Sequence, residues 1–538
     1  MKFSTESMPK QLVPYSETGY FSKLICDYIA QQPATQSFYH RFPVLENFKA
    51  QIEEKQKLFS DSQRSVLAQQ LTRQYEGVAI SEATQNNIQA LRKDSTFTIT
   101  TGHQLNLFTG PLYFLYKIFS VINLAEKLKE EHPSMNFVPV YWMATEDHDF
   151  DEINYFNLGG KKIAWDREDG GAVGELSTDG LEAVFEVFQN ALGGSLNANA
   201  LKTLFSEGYL KHATLTDATR YIANELFKEY GLVIIDGNDS ELKKSFIPYA
   251  EKELTESVSH QQVTRTTARL IEAGYSEQVH PREINLFYLT EGIRERIIEK
   301  EGQFKVNNTQ ISFTPEGISA ELKNHPERFS PNALLRPLYQ EVILPNLCYV
   351  GGGGELAYWF QLKDYFSSVE VPFPILLLRN SVLLTPKKML LKLERLEVEV
   401  ARLFQKPTNL AADFTKQLSK IDIDLTPQKN HLREQFKGMY DLAKKTDASF
   451  LGAVEAQEKK QIKGLNNLEK RLLKAQKRKL KDQLTRLALI QENLFPKGSL
   501  QERSVNFSNF YLEYGADLLS ELKNNLDPLG QEFTIIEL

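Results

Sequence analysis

A strand, a glycine-bearing turn and a helix follow one another between residues 96 and 128, and this unit constrains the fold more than any other part of the chain. Residues 96–101 (TFTITT) form a β-branched and aromatic run, which predicts a buried strand. Gly102 ends that run, and Pro111 is a residue favoured in the first turn of a helix. Apolar residues then recur at helical spacing to about residue 128. The unit predicts an α/β protein.

The turn between this strand and this helix is rich in polar and conformationally permissive residues. In a parallel α/β sheet, the free N–H groups at the start of the helix point at a crevice and favour anions such as phosphate or carboxylate. We therefore expect this turn to bind a ligand, although most such turns in an α/β protein bind nothing. The expected ligand-binding positions are Gly102, Gln104, Asn106, Thr109, Gly110 and Tyr113, with His103 as a catalytic candidate and Thr109 or Gly110 as the helix cap.

A second predicted strand, residues 137–144, runs directly into the acidic sequence EDHDFDE at residues 146–152. If the sheet is parallel, this acidic end lies at the same edge as the first turn. Asp147, His148 and Asp149 could bind a divalent metal, or could supply a general base beside acceptors for a substrate ammonium group. No second histidine has the spacing of a metal motif, so we predict a polar substrate site and no metal. Surface or capping acids are the remaining alternative.

A third candidate element lies between residues 333 and 378, where the pattern predicts helix, strand, four glycines, helix and strand. Four successive glycines let backbone approach a ligand closely, although a permissive tight turn explains them as well. Two arginines near predicted sheet ends could clamp a carboxylate or a phosphate, or could form structural ion pairs. The positions expected to contact substrate are Arg336, Gly351, Gly352, Glu355, Tyr358 and Arg379.

The length of 538 residues exceeds what one hydrophobic core usually supports, so several domains are expected. Changes in pattern predict a core in three parts, 1–152, 153–329 with antiparallel insertions, and 330–385, then a helical arm at 386–494 and a segment at 495–538 that packs back on the core. The net charge of −7 argues against a general nucleic-acid binder. The two cysteines and the absence of an apolar leader indicate a reducing cytoplasm, and no apolar run is long enough for a membrane span.

The arm has the sequence of a coiled coil. Leu473, Leu480, Leu487 and Leu494 recur at heptad spacing in a segment without proline. We expect a homodimer through this arm, with Leu480 and Leu487 in the seam or against a partner helix of the same arm. The many lysines of the arm indicate a solvated face or, alternatively, a surface for an anionic partner.

Three motifs together give the chain a family resemblance: TGHQLNLFTGPLYFLYKI, PVYWMATEDHDFDEIN and SPNALLRPLYQEVILPNLCYVGGGGELAYWFQLK. Over essentially the whole length, the chain resembles the cysteine-adding enzymes of bacillithiol biosynthesis, with GHQ and GGGGE where GQQ and GGPGE are common. The resemblance implies a Rossmann-like core similar to class I aminoacyl-tRNA synthetases, connecting-peptide insertions and a coiled coil that joins two subunits. It also implies a ligase that joins cysteine through its carboxyl group to the amine of glucosaminyl-malate.

Roles for the candidate residues follow from that resemblance. His148 and Asp149 are expected to position or deprotonate the incoming amine, and Asp147 to orient the histidine. ATP or ADP is the expected cofactor, with Lys387 and Lys388 placed where synthetase-like folds keep phosphate-contacting lysines. Neither a nucleic acid nor a membrane is an expected partner. The alternatives are a nucleotide-dependent ligase for another amine and a non-catalytic synthetase-like protein that binds RNA or a protein partner.

Overall fold

The structure is a computed structural model that describes residues 10–168 and 170–538. Its β-strands are β1 (Lys10–Pro14), β2 (Thr96–His103), β3 (Asn136–Met143), β4 (Tyr155–Leu158), β5 (Lys161–Ala164), β6 (Val233–Asp236), β7 (Leu286–Thr290), β8 (Ile293–Lys300), β9 (Gln303–Val306), β10 (Ser312–Phe313), β11 (Phe329–Pro331), β12 (Asn346–Gly351), β13 (Ile375–Leu378), β14 (Val382–Thr385) and β15 (Glu532–Glu537).

The α-helices surround and connect these strands. They are α1 (Tyr15–Thr18), α2 (Lys23–Ile29), α3 (Leu45–Leu58), α4 (Asp61–Gln74), α5 (Glu82–Ala90), α6 (Tyr113–Glu131), α7 (Phe150–Ile153), α8 (Leu181–Leu192), α9 (Leu196–Tyr209), α10 (Leu215–Phe227), α11 (Ser240–Lys244), α12 (Ile247–Glu256), α13 (Val258–Glu272), α14 (Pro315–Asn324), α15 (Arg336–Ile343), α16 (Gly353–Trp359), α17 (Lys363–Ser368), α18 (Lys387–Glu394), α19 (Pro407–Leu418), α20 (Thr426–Ala443), α21 (Ala448–Lys479), α22 (Lys481–Leu494), α23 (Ser508–Tyr514) and α24 (Asp517–Asn525).

The described chain forms two units. The first contains residues 20–383 and 501–536 together with the N-terminal strand, and the second contains residues 384–500 with short segments at 17–19 and 537–538. Across the described residues, every helix is too short or too polar to cross a lipid bilayer.

A five-stranded parallel sheet with the strand order β13-β12-β2-β3-β6 is the core of the first unit. β2 pairs with β3 along its whole length, from Thr96 opposite Asn136 to His103 opposite Met143. Every residue of β2 is buried, as expected for a central parallel strand that packs against helices such as α6. The two predicted strands are confirmed. Because they are parallel neighbours, the Gly102 turn and the acidic end of β3 lie at the same sheet edge.

The predicted antiparallel insertion is also present. Its five-stranded sheet has the order β10-β9-β8-β7-β11, and all of its pairs are antiparallel. The insertion lies in the chain between β6 and β12, so it interrupts the parallel sheet in sequence but not in space. This arrangement brings side chains of β7 and β8 into the same cavity as the ends of the parallel strands.

The second unit is helical. α20 and α21 form a hairpin around a small core of Phe436, Ala443 and Val454. The predicted helical arm is confirmed, but its leucine repeat spans two helices, because the backbone leaves helical geometry at Leu480 and separates α21 from α22. Leu487 is buried in α22, which packs against α19 of the same chain. This arrangement agrees with the second expectation for Leu487, packing against a partner helix of the same arm.

Candidate active site

One cavity at the carboxyl ends of β2 and β3 collects many of the residues predicted from the sequence. Its volume of about 680 Å³ is typical of a small-molecule site. Residues of the insertion sheet complete the wall. The predicted residues that line this cavity, called the large cavity below, are Gly102, His103, Gln104, Asp147, His148, Arg336, Glu355 and Tyr358.

The turn after β2 has an unusual backbone. Phe108, Thr109 and Gly110 have φ angles of 47°, 68° and 64°, a left-handed region that residues other than glycine rarely adopt. The side-chain amide of Asn506 holds this conformation, because it donates hydrogen bonds of 2.8 and 2.6 Å to the carbonyls of Phe108 and Gly110. The predicted cap at Thr109 or Gly110 is therefore wrong. α6 begins after Leu112, without a side-chain cap.

The acidic residues after β3 have separate environments. Glu146 is buried and forms an ion pair of 2.6 Å with Lys243. Asp147 accepts hydrogen bonds from Gln104 Nε2 at 3.0 Å and from the His148 N–H at 2.8 Å. Burial raises the pKa of Asp147, but the neighbouring His148 side chain, the hydrogen bonds from Gln104 and the His148 N–H, and the charge of Arg294 together hold the pKa well below its usual range. Asp147 is therefore an ionised carboxylate in the wall of the large cavity at neutral pH.

His148 is held by an arginine that the sequence did not identify. Arg294 Nη1 lies 2.7 Å from His148 Nδ1, and Arg294 also donates to Ser330 Oγ at 3.2 Å. Since a guanidinium can only donate, Nδ1 is the unprotonated nitrogen of the imidazole and the proton is on Nε2. A second contact, 3.7 Å from Nδ1 to Asp147 Oδ1, is longer than a hydrogen bond. In this arrangement His148 can donate from Nε2, and it can accept a proton only after Arg294 moves away.

A buried lysine connects the turn after β2 with the glycine turn after β12. Lys117 Nζ donates to the Gly102 carbonyl at 2.7 Å and forms an ion pair of 2.6 Å with Glu355 Oε1. The other oxygen of Glu355 accepts from the Gly352 N–H at 2.7 Å. Lys117 was identifiable in principle, because it is a single charge on the otherwise apolar face of α6.

Arg336, at the start of α15, lines the large cavity, and its positive charge is not paired with a carboxylate of the described residues. Its guanidinium donates to Gln340 Oε1 at 3.0 Å and to the Tyr358 hydroxyl at 3.3 Å, both of them neutral groups. Among the described residues, no carboxylate is within ion-pair distance of it. A partly buried cation without such a partner is suited to a ligand carboxylate or phosphate.

Other predicted residues line a separate polar cavity of about 270 Å³ that adjoins the large cavity at Gln104. Asn106, Gly110 and Tyr113 belong to this second cavity, together with Glu152 and Arg503. Asp149 lines neither cavity and is exposed. Its pKa is raised, first by burial and then by neighbouring acids.

The remaining predicted residues contact other protein groups or lie outside the large cavity. Gly351 faces protein, since a Cβ there would lie 2.9 Å from Tyr349 Cε1, and neither Gly352 nor Thr109 lines the large cavity. Arg379 forms a buried ion pair of 2.9 Å with Glu502, the structural alternative that the sequence left open. Lys387 and Lys388 are exposed residues of α18 in the second unit. No group of three His, Cys, Asp or Glu side chains within residues 10–168 and 170–538 is arranged to hold a metal ion.

His103 is buried at the end of β2, with its ring 4.8 Å from that of Phe114. Burial, and then the charge of Lys117, hold the pKa of His103 well below its usual 6.5. The folded protein therefore keeps His103 neutral where the unfolded chain would protonate it. Below pH 6.5 the unfolded state binds the extra proton, so folding loses stability as the pH falls.

As the pH falls from 6.5 to about 5, we expect protonation of His103 in the unfolded state to lower the free energy of unfolding by about 2 kcal/mol. His103→Gln should remove that part of the pH dependence, which urea unfolding at several pH values would measure. His431→Gln, at an exposed histidine of the second unit, is the matched control. Equal pH dependence in wild type and His103→Gln would show that His103 is protonated in the folded protein.

Sequence reasoning missed the arginines of the insertion. Arg294 and Arg296 both line the large cavity and are two positions apart on β8, so they share a strand face. Arg282, Asn285 and Asn332 line it as well. The alternation of charge in IRERIIEK was a usable signal, but nothing in the sequence alone indicates that this hairpin faces the parallel sheet.

Comparison with known proteins places the chain among close relatives. The family model described as "Bacillithiol biosynthesis BshC, N-terminal Rossmann-like domain" matches residues 8–380, and "Bacillithiol biosynthesis BshC, C-terminal coiled-coil domain" matches residues 382–538. A relative from Christiangramia forsetii is 58% identical over 98% of this chain and 99% of its own length. One from Flavobacterium johnsoniae is 56% identical over 98% of this chain and 100% of its own. Both carry the name "Putative cysteine ligase BshC".

Among solved structures, the chain matches one from Campylobacter jejuni described as "putative arginyl t-RNA synthetase". The identity is 9%, the match covers 82% of this chain and 95% of the other, and the TM-score is 0.22. At this TM-score the similarity does not support a conclusion about the fold or the function. The Rossmann-like and coiled-coil architecture rests on the family models and on the parallel sheet itself.

Proposed function

The chain belongs to the bacillithiol biosynthesis BshC family, and from this membership we propose that it is a cysteine ligase. The reaction joins the carboxyl group of cysteine to the amine of glucosaminyl-malate and forms bacillithiol. The observation that carries the proposal beyond the family is the charge of the large cavity, which has both acidic and cationic side chains in its wall.

The two kinds of charge come from different parts of the fold. Glu146, Asp147 and Glu355 are at the edge of the parallel sheet, whereas the region of the insertion supplies Arg294 and Arg296. Glucosaminyl-malate carries an amine at one end and two carboxylates at the other. Because Glu146 and Glu355 are already paired with Lys243 and Lys117, Asp147 is the carboxylate that this wall offers to an ammonium group, while its guanidinium groups suit carboxylates.

Forming an amide from a free carboxylate in water is uphill, so the cysteine carboxyl group must be activated. ATP is the proposed source: transfer of its AMP group to the cysteine carboxylate would give an acyl-adenylate and release pyrophosphate, and transfer of its γ-phosphoryl group would give an acyl-phosphate and release ADP. Arg336, which lines the cavity and donates only to neutral side chains, fits a phosphate of such a nucleotide. The predicted lysines, Lys387 and Lys388, are not needed for this role.

The amine must lose a proton before it attacks. In our proposal Asp147 holds the ammonium group, and His148 accepts the proton once Arg294 has turned to the anionic part of the substrates. Arg294 is thus a positioning residue: while it donates to His148 Nδ1, the base is blocked. Binding of substrate anions would unblock the base only in the loaded site. Asp149 has no place in this scheme, because it lies outside the cavity wall.

Metabolite profiling of a deletion strain tests the proposed substrate. The strain should accumulate glucosaminyl-malate and lack bacillithiol, and the wild-type gene should restore the thiol whereas an Arg336→Gln gene should not. Accumulation of a different amine would favour a ligase with another acceptor. Unchanged metabolites, together with RNA bound by the purified protein at physiological salt, would favour the non-catalytic alternative.

We also propose a cytoplasmic location, in keeping with two cysteines that are both free thiols.

We further propose a homodimer through the helical arm. Met439, Leu442 and Phe450 are exposed by 48%, 58% and 44%, and they lie where α20 and α21 meet at the end of the hairpin. Exposed apolar side chains grouped in this way mark an interaction surface. The double variant Met439→Glu, Phe450→Glu is expected to shift the mass from dimer to monomer in light scattering, while the exposed control Lys437→Glu leaves it unchanged. A monomeric wild-type protein at micromolar concentration would contradict the dimer.

A further inference from the structure

A small cavity of about 10 Å³ lies behind the turn that follows β2, apart from the large cavity. The turn, α6, β3, α9 and α10 all contribute to its wall. His103 and Gln104 line both cavities, so they form the partition between them. No charged side chain is among the residues that line the small cavity.

Five polar atoms in this wall are buried and have no hydrogen-bond partner among the described residues. They are His103 Nε2, Asn106 Oδ1, Thr109 Oγ1, Tyr141 Oη and Thr219 Oγ1. Such atoms are rare in folded proteins because burial without a partner is costly. Sixteen occur in the described chain, so finding five around one space of this size points to a shared partner.

We propose that the small cavity is a binding site for one water molecule. A buried water needs roughly 10–15 Å³ of space and two to four polar partners, and the cavity offers both. The chemistry of the five atoms matches as well. His103 Nε2 and Asn106 Oδ1 can each accept one hydrogen of the water, while two of the three hydroxyl groups can donate to its two lone pairs. No charged side chain among the described wall residues favours an ion over a neutral ligand.

The water gives His103 a defined state. With Nε2 accepting from the water, the ring proton is on Nδ1, which leaves that nitrogen to hydrogen-bond the Thr109 backbone. His103 is then a positioning residue that is held from both sides, rather than an acid or a base for the large cavity. The same water connects the left-handed turn to Thr219 on α10, and so supports the backbone that carries Gln104.

A crystal structure of the full chain, at a resolution that shows ordered solvent, tests this site. The expected result is one isolated density peak within hydrogen-bond distance of at least three of the five atoms. Two outcomes overturn the proposal: a cavity without density, or side chains rotated so that the five atoms bond one another.

Variants separate the water from ordinary packing. Thr219→Ile should fill the space and expel the water, and selective ¹⁵N labelling of histidine should then show a changed His103 ring signal. Thr266→Val is the control, since it removes a buried helix hydroxyl that bonds only the Gln262 carbonyl in its own helix and should leave that signal unchanged. An unaltered His103 signal in Thr219→Ile would count against the site. If that variant fails to fold, Thr219→Val removes one hydroxyl donor to the water at nearly the same volume and should still change the His103 ring signal, and an unaltered signal there would equally count against the site.

Discussion

Replacing Arg336 with glutamine is expected to lower kcat/KM for bacillithiol formation by about 10²- to 10³-fold, the scale of losing one preorganised donor to a charged group. Arg336 lines the large cavity and donates only to neutral partners, so its charge is available to a substrate anion. Glutamine keeps hydrogen-bonding capacity but removes the cation. Steady-state kinetics of the purified variant would measure the change.

Two further variants distinguish the loss of the Arg336 charge from a general defect in folding. Arg265→Gln removes an exposed arginine of α13 outside the cavity and should leave kcat/KM unchanged. Arg336→Lys keeps the charge but loses the planar fork, so its activity should lie between those of wild type and the glutamine variant. An Arg336→Gln enzyme within about threefold of wild type would exclude Arg336 from anion binding.

The second large effect is expected for Asp147→Asn, about a 10²-fold loss of kcat/KM. The carboxylate of Asp147 is fixed by Gln104 and the His148 N–H, and its lowered pKa keeps it ionised at neutral pH. Asparagine has nearly the same shape but no charge, so it cannot hold an ammonium group. Raising the concentration of the amine substrate should recover part of the lost rate, because the variant binds that substrate less tightly.

Two neighbouring acids serve as controls for this variant. Asp151→Asn alters an exposed acid of α7 outside the cavity wall, and Asp149→Asn alters the residue that the sequence favoured as a base. Both should retain activity within a few fold of wild type. A large loss in Asp149→Asn with an active Asp147→Asn would reverse the two assignments and restore the expectation from sequence.

The sheet edge that carries the site could be predicted because its signals are local. A β-branched run ended by Gly102 and an apolar run ended by an acidic cluster each predict a buried strand, and parallel pairing then places both ends together. The structure confirms that neighbourhood through the pairing of β2 with β3. The antiparallel insertion was predicted on the same kind of evidence from alternation and turns.

Local sequence patterns could not predict contacts between residues that are far apart in the sequence. Arg294 meets His148 across 146 positions and Arg379 meets Glu502 across 123, and no local period records either pair. The predicted cap of α6 failed for a related reason, because Asn506 from the C-terminal region holds the turn in a left-handed conformation. The leucine repeat correctly predicted a helical arm, but its heptad spacing did not indicate the helix break at Leu480.

Incubating the purified protein with cysteine, glucosaminyl-malate and ATP, and analysing the products by mass spectrometry, tests the proposed ligase activity most directly. The predicted result is a new thiol whose mass equals the two substrates less one water, formed with ATP and not without it. Tandem fragmentation should locate the new bond between the cysteine carbonyl and the glucosamine nitrogen. Absence of this product from correctly folded protein, with all three reactants present, would contradict the assignment.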